Sequence, residues 1–153
     1  MTPRLNYFAA APKLMQAVLN LAQTVNSSGL EHSLMELVKI RASQINGCAR
    51  CLHMHIQEAR KDGETDERLY LLDAWAEASV YTDRERAALI WTEALTRLSE
   101  TRAPDAAYEA AKAQFTEGEV VKLTMVINTI NAWNRIGVGF RLEPMGLPRA
   151  KAA

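Results

Sequence analysis

The sequence predicts an all-α fold, a single bundle of about six or seven helices. Apolar residues recur at three- and four-residue spacing along most of the chain. No stretch of β-branched alternation is long enough to suggest a sheet, and the breaks between periodic segments carry helix-capping and turn residues. At 153 residues the chain is the length of one domain. Such a domain buries roughly 70% of its unfolded surface and needs neither disulfide nor metal to fold.

The first helix is expected to start near Pro12, with Leu14, Val18, Leu21 and Val25 on one face, and to break at Asn26-Ser27-Ser28-Gly29. The second runs from about Glu31 to Gln44, with Leu34, Leu37, Val38 and Ile40 inward. Asn46-Gly47 is a turn signal, and Gly47 can supply a left-handed C-terminal cap. The third helix begins at about Cys48, continues to Arg60 and stops at Asp62-Gly63. Residues 66–76 read as a short helix carrying Leu69, Leu72 and Trp75. Thr82 and Glu85 form a capping-box pair, each satisfying an orphan amide of the other. That helix carries Ala88, Leu89, Trp91, Leu95 and Leu98. Pro104 suits a first turn and opens a helix to about Phe115. Thr116 and Glu119 repeat the capping box ahead of a long helix with Val120, Leu123, Ile127, Ile130 and Trp133. Residues 140–153, with Pro144, Gly146 and Pro148, read as a non-helical C-terminal extension. No composition shift marks a second domain, so residues 1–153 are taken as one.

Lys+Arg and Asp+Glu number 18 each. The zero net charge gives no reason to expect a nucleic-acid or anionic-membrane partner. The first 22 residues are interrupted by Asn6, Lys13, Gln16 and Asn20 and lack the basic start and cleavage site of a signal peptide. No window reaches the apolar length of a membrane span. A cytoplasmic protein is the expectation.

The two cysteines sit in Cys48-Ala-Arg-Cys51. A bridge between residues so close closes almost no loop, so it adds little as a staple. In a reducing compartment redox chemistry or metal binding explains such a pair better. On a helix, Cys48, Cys51 and His55 share one stripe. A thiol at the helix start faces the positive end of the macrodipole, which favours thiolate at Cys48. His55, one turn beyond Cys51, can act as general base and acid. Two thiols one turn apart can form a disulfide once one is oxidised.

Other readings of the pair are weaker. Structural zinc needs about four ligands, and His53, on roughly the opposite face from Cys51, does not complete a set with His55. Haem attachment needs histidine directly after the second cysteine, and Leu52 stands there. No metal or cofactor is expected. Two inert core cysteines would leave the aligned His55 unexplained. His53 reads as a surface or packing residue, and His32, four residues before Glu36, as a helix-surface partner.

The segment from Glu36 through Arg41-Ala-Ser43-Gln44-Ile-Asn46-Gly47-Cys48-Ala-Arg50-Cys51-Leu-His53-Met-His55 resembles the alkylhydroperoxidase AhpD-like branch of the carboxymuconolactone decarboxylase superfamily. The likeness continues through Gly63-Glu64-Thr65, Arg68-Leu-Tyr70, Trp75 and the 83–95 segment, covering roughly residues 30–100. A glutamate, an SQxNGCxxC turn and a following histidine are far more specific together than CxxC alone.

The resemblance implies an all-helical fold, a homo-oligomer (trimer or hexamer) and thiol-dependent reduction of hydroperoxides. It implies that Cys51 attacks the peroxide and Cys48 resolves the sulfenic acid as a disulfide. His55 would relay the proton with Glu36 behind it, and a dithiol such as a lipoylated protein would be the reductant. An antiparallel helix pair through the Asn46-Gly47 turn could bring Glu36 opposite His55 and orient the imidazole. Founding members carry a histidine just before the second cysteine. Here Arg50 stands in its place, which cannot shuttle protons but can stabilise a thiolate. The dipole argument favours Cys48 as the more acidic thiol while the resemblance assigns attack to Cys51. The alternatives are a decarboxylase-like lyase using His55 and Glu36, and a non-enzymatic redox sensor.

Overall fold

A computed structural model describes residues 2–147. The helices are α1 (Tyr7–Ala10), α2 (Pro12–Asn26), α3 (His32–Asn46), α4 (Ala49–Lys61), α5 (Asp66–Leu71), α6 (Asp83–Thr96), α7 (Leu98–Thr101), α8 (Asp105–Gln114) and α9 (Glu117–Gly139). A 3-10 segment, Leu72–Glu77, follows α5. The fold is all-α, as the periodicity predicts. The count exceeds the expectation because α1 and α7 are four-residue turns too short to show a period. Leu98, expected on α6, lies beyond that helix's end and is 53% exposed.

α3 is the axis of the molecule. Residues 34–43 are all buried, because different faces of the helix enter different apolar clusters. Leu34, Met35 and Val38 pack with Trp91 of α6 and with Leu123 and Ile127 of α9. Leu37 and Ile40 pack with Leu69, Leu72 and Leu89. Ala42 packs with Cys48, Cys51 and Ile130. A helix buried all round also draws in its polar residues, and Glu36, Lys39, Arg41 and Ser43 are each buried. Such groups are tolerated only when paired or hydrogen-bonded. Arg41 accordingly donates to Glu93 at 2.9 Å and meets Asp73, while Trp75 Nε1 donates to Glu93 at 2.7 Å.

The stripe of α2 expected inward is buried only at its C-terminal end. Of the expected stripe Val25 is buried, but Leu14 is 71% exposed and Leu21 42%, and Met15, outside the stripe, is buried instead. α2 meets the bundle chiefly through α9, so tertiary contact rather than the strongest apolar stripe sets its rotation. α6 and α9 both start with complete capping boxes, Thr82 with Glu85 and Thr116 with Glu119. Arg84 ties them together, donating to Glu31 at 2.8 Å and to Glu119 at 2.7 Å. The α3–α4 corner is made by Gly47, whose φ of 66° and ψ of 33° are left-handed. Nothing lies within 4 Å of a Cβ added there, so the demand for glycine is purely a backbone one. Gly47→Ala is expected to cost about 1 kcal/mol, and Gly47→Asn less, read as shifts in the urea unfolding midpoint.

After Gly139 the chain leaves the helix and folds back over one end of α9. Arg4 N and Nη1 donate to the carbonyls of Phe140 and Gly139, and Tyr7 stacks on Phe140 with ring centroids 5.9 Å apart. Of the extension expected over 140–153, residues 148–153 lie outside the described residues. No helix among the described residues is long and apolar enough to cross a membrane.

Candidate active site

Cys48 is the N-cap of α4, and its Sγ accepts from the Cys51 amide at 3.4 Å. The two cysteines are joined as a disulfide, with Cα atoms 5.3 Å apart. The corner that carries them is fixed from below by a buried amide network. Asn46 Nδ2 donates to the side-chain oxygens of Asn131 and Asn134, both at 2.9 Å, and Asn134 Nδ2 donates to Ser43 Oγ at 2.9 Å. Such a network is satisfied in only one register of α3 against α9 and holds the CxxC turn rigidly.

One turn along α4, His55 Nδ1 lies 2.8 Å from Glu36 Oε2. An ionised carboxylate can only accept, so Nδ1 carries the hydrogen and Nε2 is left to exchange a proton. The other carboxylate oxygen, Oε1, accepts from Lys39 Nζ at 2.8 Å, and Lys39 Nζ also donates to Asn26 at 2.9 Å. Glu36 is 2% exposed. Burial by itself raises its pKa, but its contacts with His55 and Lys39 outweigh that and hold it below the ordinary 4.5. His32, half exposed, approaches Glu36 Oε1 at 3.8 Å and meets Asp62. It is the helix-surface partner its spacing suggests. His53 does not line the site.

Beside these groups is a cavity of about 330 Å3 with mainly apolar walls. Cys51 and His55 open onto it, and Cys48 lies behind. Arg50 lines its rim and donates to the Glu143 carbonyl at 3.1 Å, and Leu142 from the same segment completes the wall. The structure therefore brings Glu36, Cys48, Cys51 and His55 into one constellation, and it adds residues that spacing did not single out. Lys39 is three residues after Glu36 on a helix whose neighbouring positions are apolar, a pattern that could have flagged it. Gly137 lies inside the last turn of α9, where a glycine followed by further helix signals a close approach. A Cβ there would stand 2.8 Å from Cys48 Sγ and 3.5 Å from Cys51 Sγ. Thr129 and Trp133 on the same helix had no signal beyond their period.

The sequence profile of the Carboxymuconolactone decarboxylase family matches residues 12–94. The uncharacterized protein YdfG of Bacillus subtilis (strain 168) is 40% identical over 138 residues, 90% of this chain and 94% of that protein. The crystal structure of ATU0492 from Agrobacterium tumefaciens matches with a TM-score of 0.92 at 47% identity, covering 97% of this chain and all of that one. That protein is of unknown function and provisionally assigned to AhpD-type antioxidant defence. The debrominase Bmp8 shares the fold at 16% identity, with a TM-score of 0.81 over 91% of this chain and 75% of its own. Profile, identity and fold agree: this chain belongs to the carboxymuconolactone decarboxylase family, in its AhpD-like branch.

Proposed function

We propose that the protein is a thiol-dependent peroxidase that reduces hydroperoxides through a Cys48–Cys51 dithiol/disulfide cycle. The observation that carries this reading is that Cys51 and His55 open onto one apolar cavity while Cys48 is bonded to Cys51 from behind. That arrangement also favours Cys51 over Cys48 as the attacking thiol, because only Cys51 faces the space a substrate could occupy. The dipole at the N-terminus of α4 then serves Cys48 instead, making it a ready thiolate for the second step and a good leaving group on reduction.

In the first step the Cys51 thiolate attacks the terminal peroxide oxygen, an S–O bond forms and the O–O bond breaks. The sulfur is oxidised by two electrons to a sulfenic acid, and the departing alkoxide takes a proton from His55 to leave as an alcohol. In the second, the Cys48 thiolate attacks the Cys51 sulfur. Hydroxide leaves, is protonated to water, and the disulfide closes. Glu36 fixes the imidazole ring and its tautomer throughout. An external dithiol, such as a lipoylated protein, returns the pair to thiols by exchange. Arg50 carries no transferable proton, so the relay here runs through His55 alone.

Separate replacement of the cysteines tests the reading. Both Cys48→Ser and Cys51→Ser are expected to abolish multiple turnover of hydroperoxide, with a trappable sulfenic acid accumulating on Cys51 in Cys48→Ser. Peroxide consumption that survives both changes would refute it. A lyase built on His55 and Glu36 would instead keep its activity after thiol alkylation. A redox sensor would show an oxidation-dependent change of assembly without turnover.

A further inference from the structure

We infer that Arg50 is the anion-binding, specificity-determining residue of this cavity. The ligand it selects is an amphiphilic carboxylate, whose anionic group meets Arg50 while its alkyl chain lies against the apolar walls. The inference rests on the peroxidase reading only for one further step, that the molecule so bound is an organic hydroperoxide.

The charged side chains around the cavity have one sign. Lys39, Arg50 and His55 line it, and no aspartate or glutamate among the described residues does. Glu36 stands behind Lys39 and His55 and bonds to each at 2.8 Å. Arg50 has no such counter-charge. It is half-buried, and the partner of its guanidinium among the described residues is a neutral group, the backbone carbonyl of Glu143. Of the other buried and half-buried arginines, Arg41, Arg68, Arg84 and Arg97 each meet a carboxylate. Arg86 directs its donors to three backbone carbonyls. A guanidinium has five N–H donors in a planar fork that matches a carboxylate, and Arg50 keeps most of them for a ligand.

Helix stability does not account for an arginine here. Arg50 lies in the first turn of α4, which holds no acidic residue, and a cation there meets the positive end of the helix dipole. The placement is unfavourable for the helix and favourable for an anion that arrives beside it. The bond to the Glu143 carbonyl holds the guanidinium next to Leu142, itself part of the cavity wall. Val25, Ile130 and Trp133 supply apolar wall for a chain. A cavity of about 330 Å3 is near the small end of ligand sites, so it takes one short amphiphile.

Calorimetric titration of the oxidised protein with octanoate and with 1-octanol tests this without turnover. In that form the sulfurs are bonded to each other, so no thiolate competes for Arg50. Wild type should bind octanoate roughly tenfold more tightly than octanol, the value of one charge-assisted hydrogen bond at a half-buried site. Arg50→Gln keeps a donor for the Glu143 carbonyl and removes the charge. It should abolish the preference and bind octanol as wild type does, whereas Arg50→Lys should keep part of the preference. Equal binding of the two ligands by wild type, binding of neither, or a preference that persists in Arg50→Gln would overturn the inference. So would an Arg50→Gln that weakens both ligands alike, the mark of a residue that only holds the 140–143 turn in place. With the reduced protein and excess dithiol, octanoate should inhibit consumption of cumene hydroperoxide more strongly than octanol does, and Arg50→Gln should remove the difference. Absence of any peroxide consumption there counts against the peroxidase reading and leaves the binding result standing.

Discussion

Replacing Glu36 by glutamine is expected to remove about 3 kcal/mol of stability near neutral pH and to lower turnover by roughly a hundredfold or more. The carboxylate is the shared partner of His55 and Lys39, and all three lie against the core. Deleting one member of a buried ion pair leaves the other charge uncompensated, which typically costs about 3–5 kcal/mol. The low end is expected because Lys39 borders the cavity and keeps its bond to Asn26. The catalytic loss has a separate origin. A glutamine side chain can turn its amide N–H toward Nδ1 and favour the wrong tautomer, so that Nε2 no longer exchanges a proton as the mechanism requires.

The two effects can be separated. Glu36→Gln combined with Lys39→Met removes the stranded charge and should recover most of the stability without recovering turnover. pH gives a second signature. The folded pKa of Glu36 lies below 4.5, so its stabilisation is complete above that pH and is lost as pH falls through the folded pKa. The gap in unfolding free energy between wild type and Glu36→Gln, measured by urea titration, should therefore shrink as the pH falls below 4.5. A gap that does not narrow in acid would show that the stabilisation is not the carboxylate's.

Gly137→Ala is expected to lower turnover by roughly ten- to a hundredfold, although no residue of the proposed chemistry lies on α9. The added Cβ would meet Cys48 Sγ at 2.8 Å, closer than atoms of that kind approach. Either the CxxC turn or α9 must move. Neither moves freely, because Asn46, Asn131, Asn134 and Ser43 bond the two together. The overpacking should cost about 1–3 kcal/mol, offset by up to about 1 kcal/mol of helix propensity gained over glycine. Gly139→Ala is the control. It lies on the same helix with nothing within 4 Å of its added Cβ, and it should be neutral or slightly stabilising. Peroxide consumption and urea unfolding of both variants check the contrast. If Gly137→Ala behaves like Gly139→Ala in both, the close packing of helix and sulfurs is not a constraint on the site.

Much of the molecule was written in local sequence. The capping boxes at Thr82 and Thr116, the glycine corner at Gly47, and the helical register of Cys48, Cys51 and His55 depend on residues within one or two turns of each other. Their physics is local, so spacing reveals it. The rotation of α2 was not legible, because Leu14 and Leu21 form a good stripe that the bundle leaves exposed, and burial is decided by which neighbour arrives. The partners of Lys39 were hidden for a related reason, although its place in an apolar pattern marked it as unusual. Spacing offers Glu36 as one partner, but only the packing of α2 against α3 brings Asn26 to it.

The sequence by itself determined that this is an all-helical chain with a dithiol and a histidine on one face of a helix. That followed from the fixed geometry of the helix, which turns a spacing of three and four into proximity. Only the tertiary structure decided which of the two cysteines lines the cavity and placed the Glu36 carboxylate against the imidazole. It also decided that Gly137, Thr129 and the turn around Leu142 wall the site. Those outcomes depend on contacts between residues more than ninety positions apart, and no local periodicity encodes the direction from which a distant helix approaches.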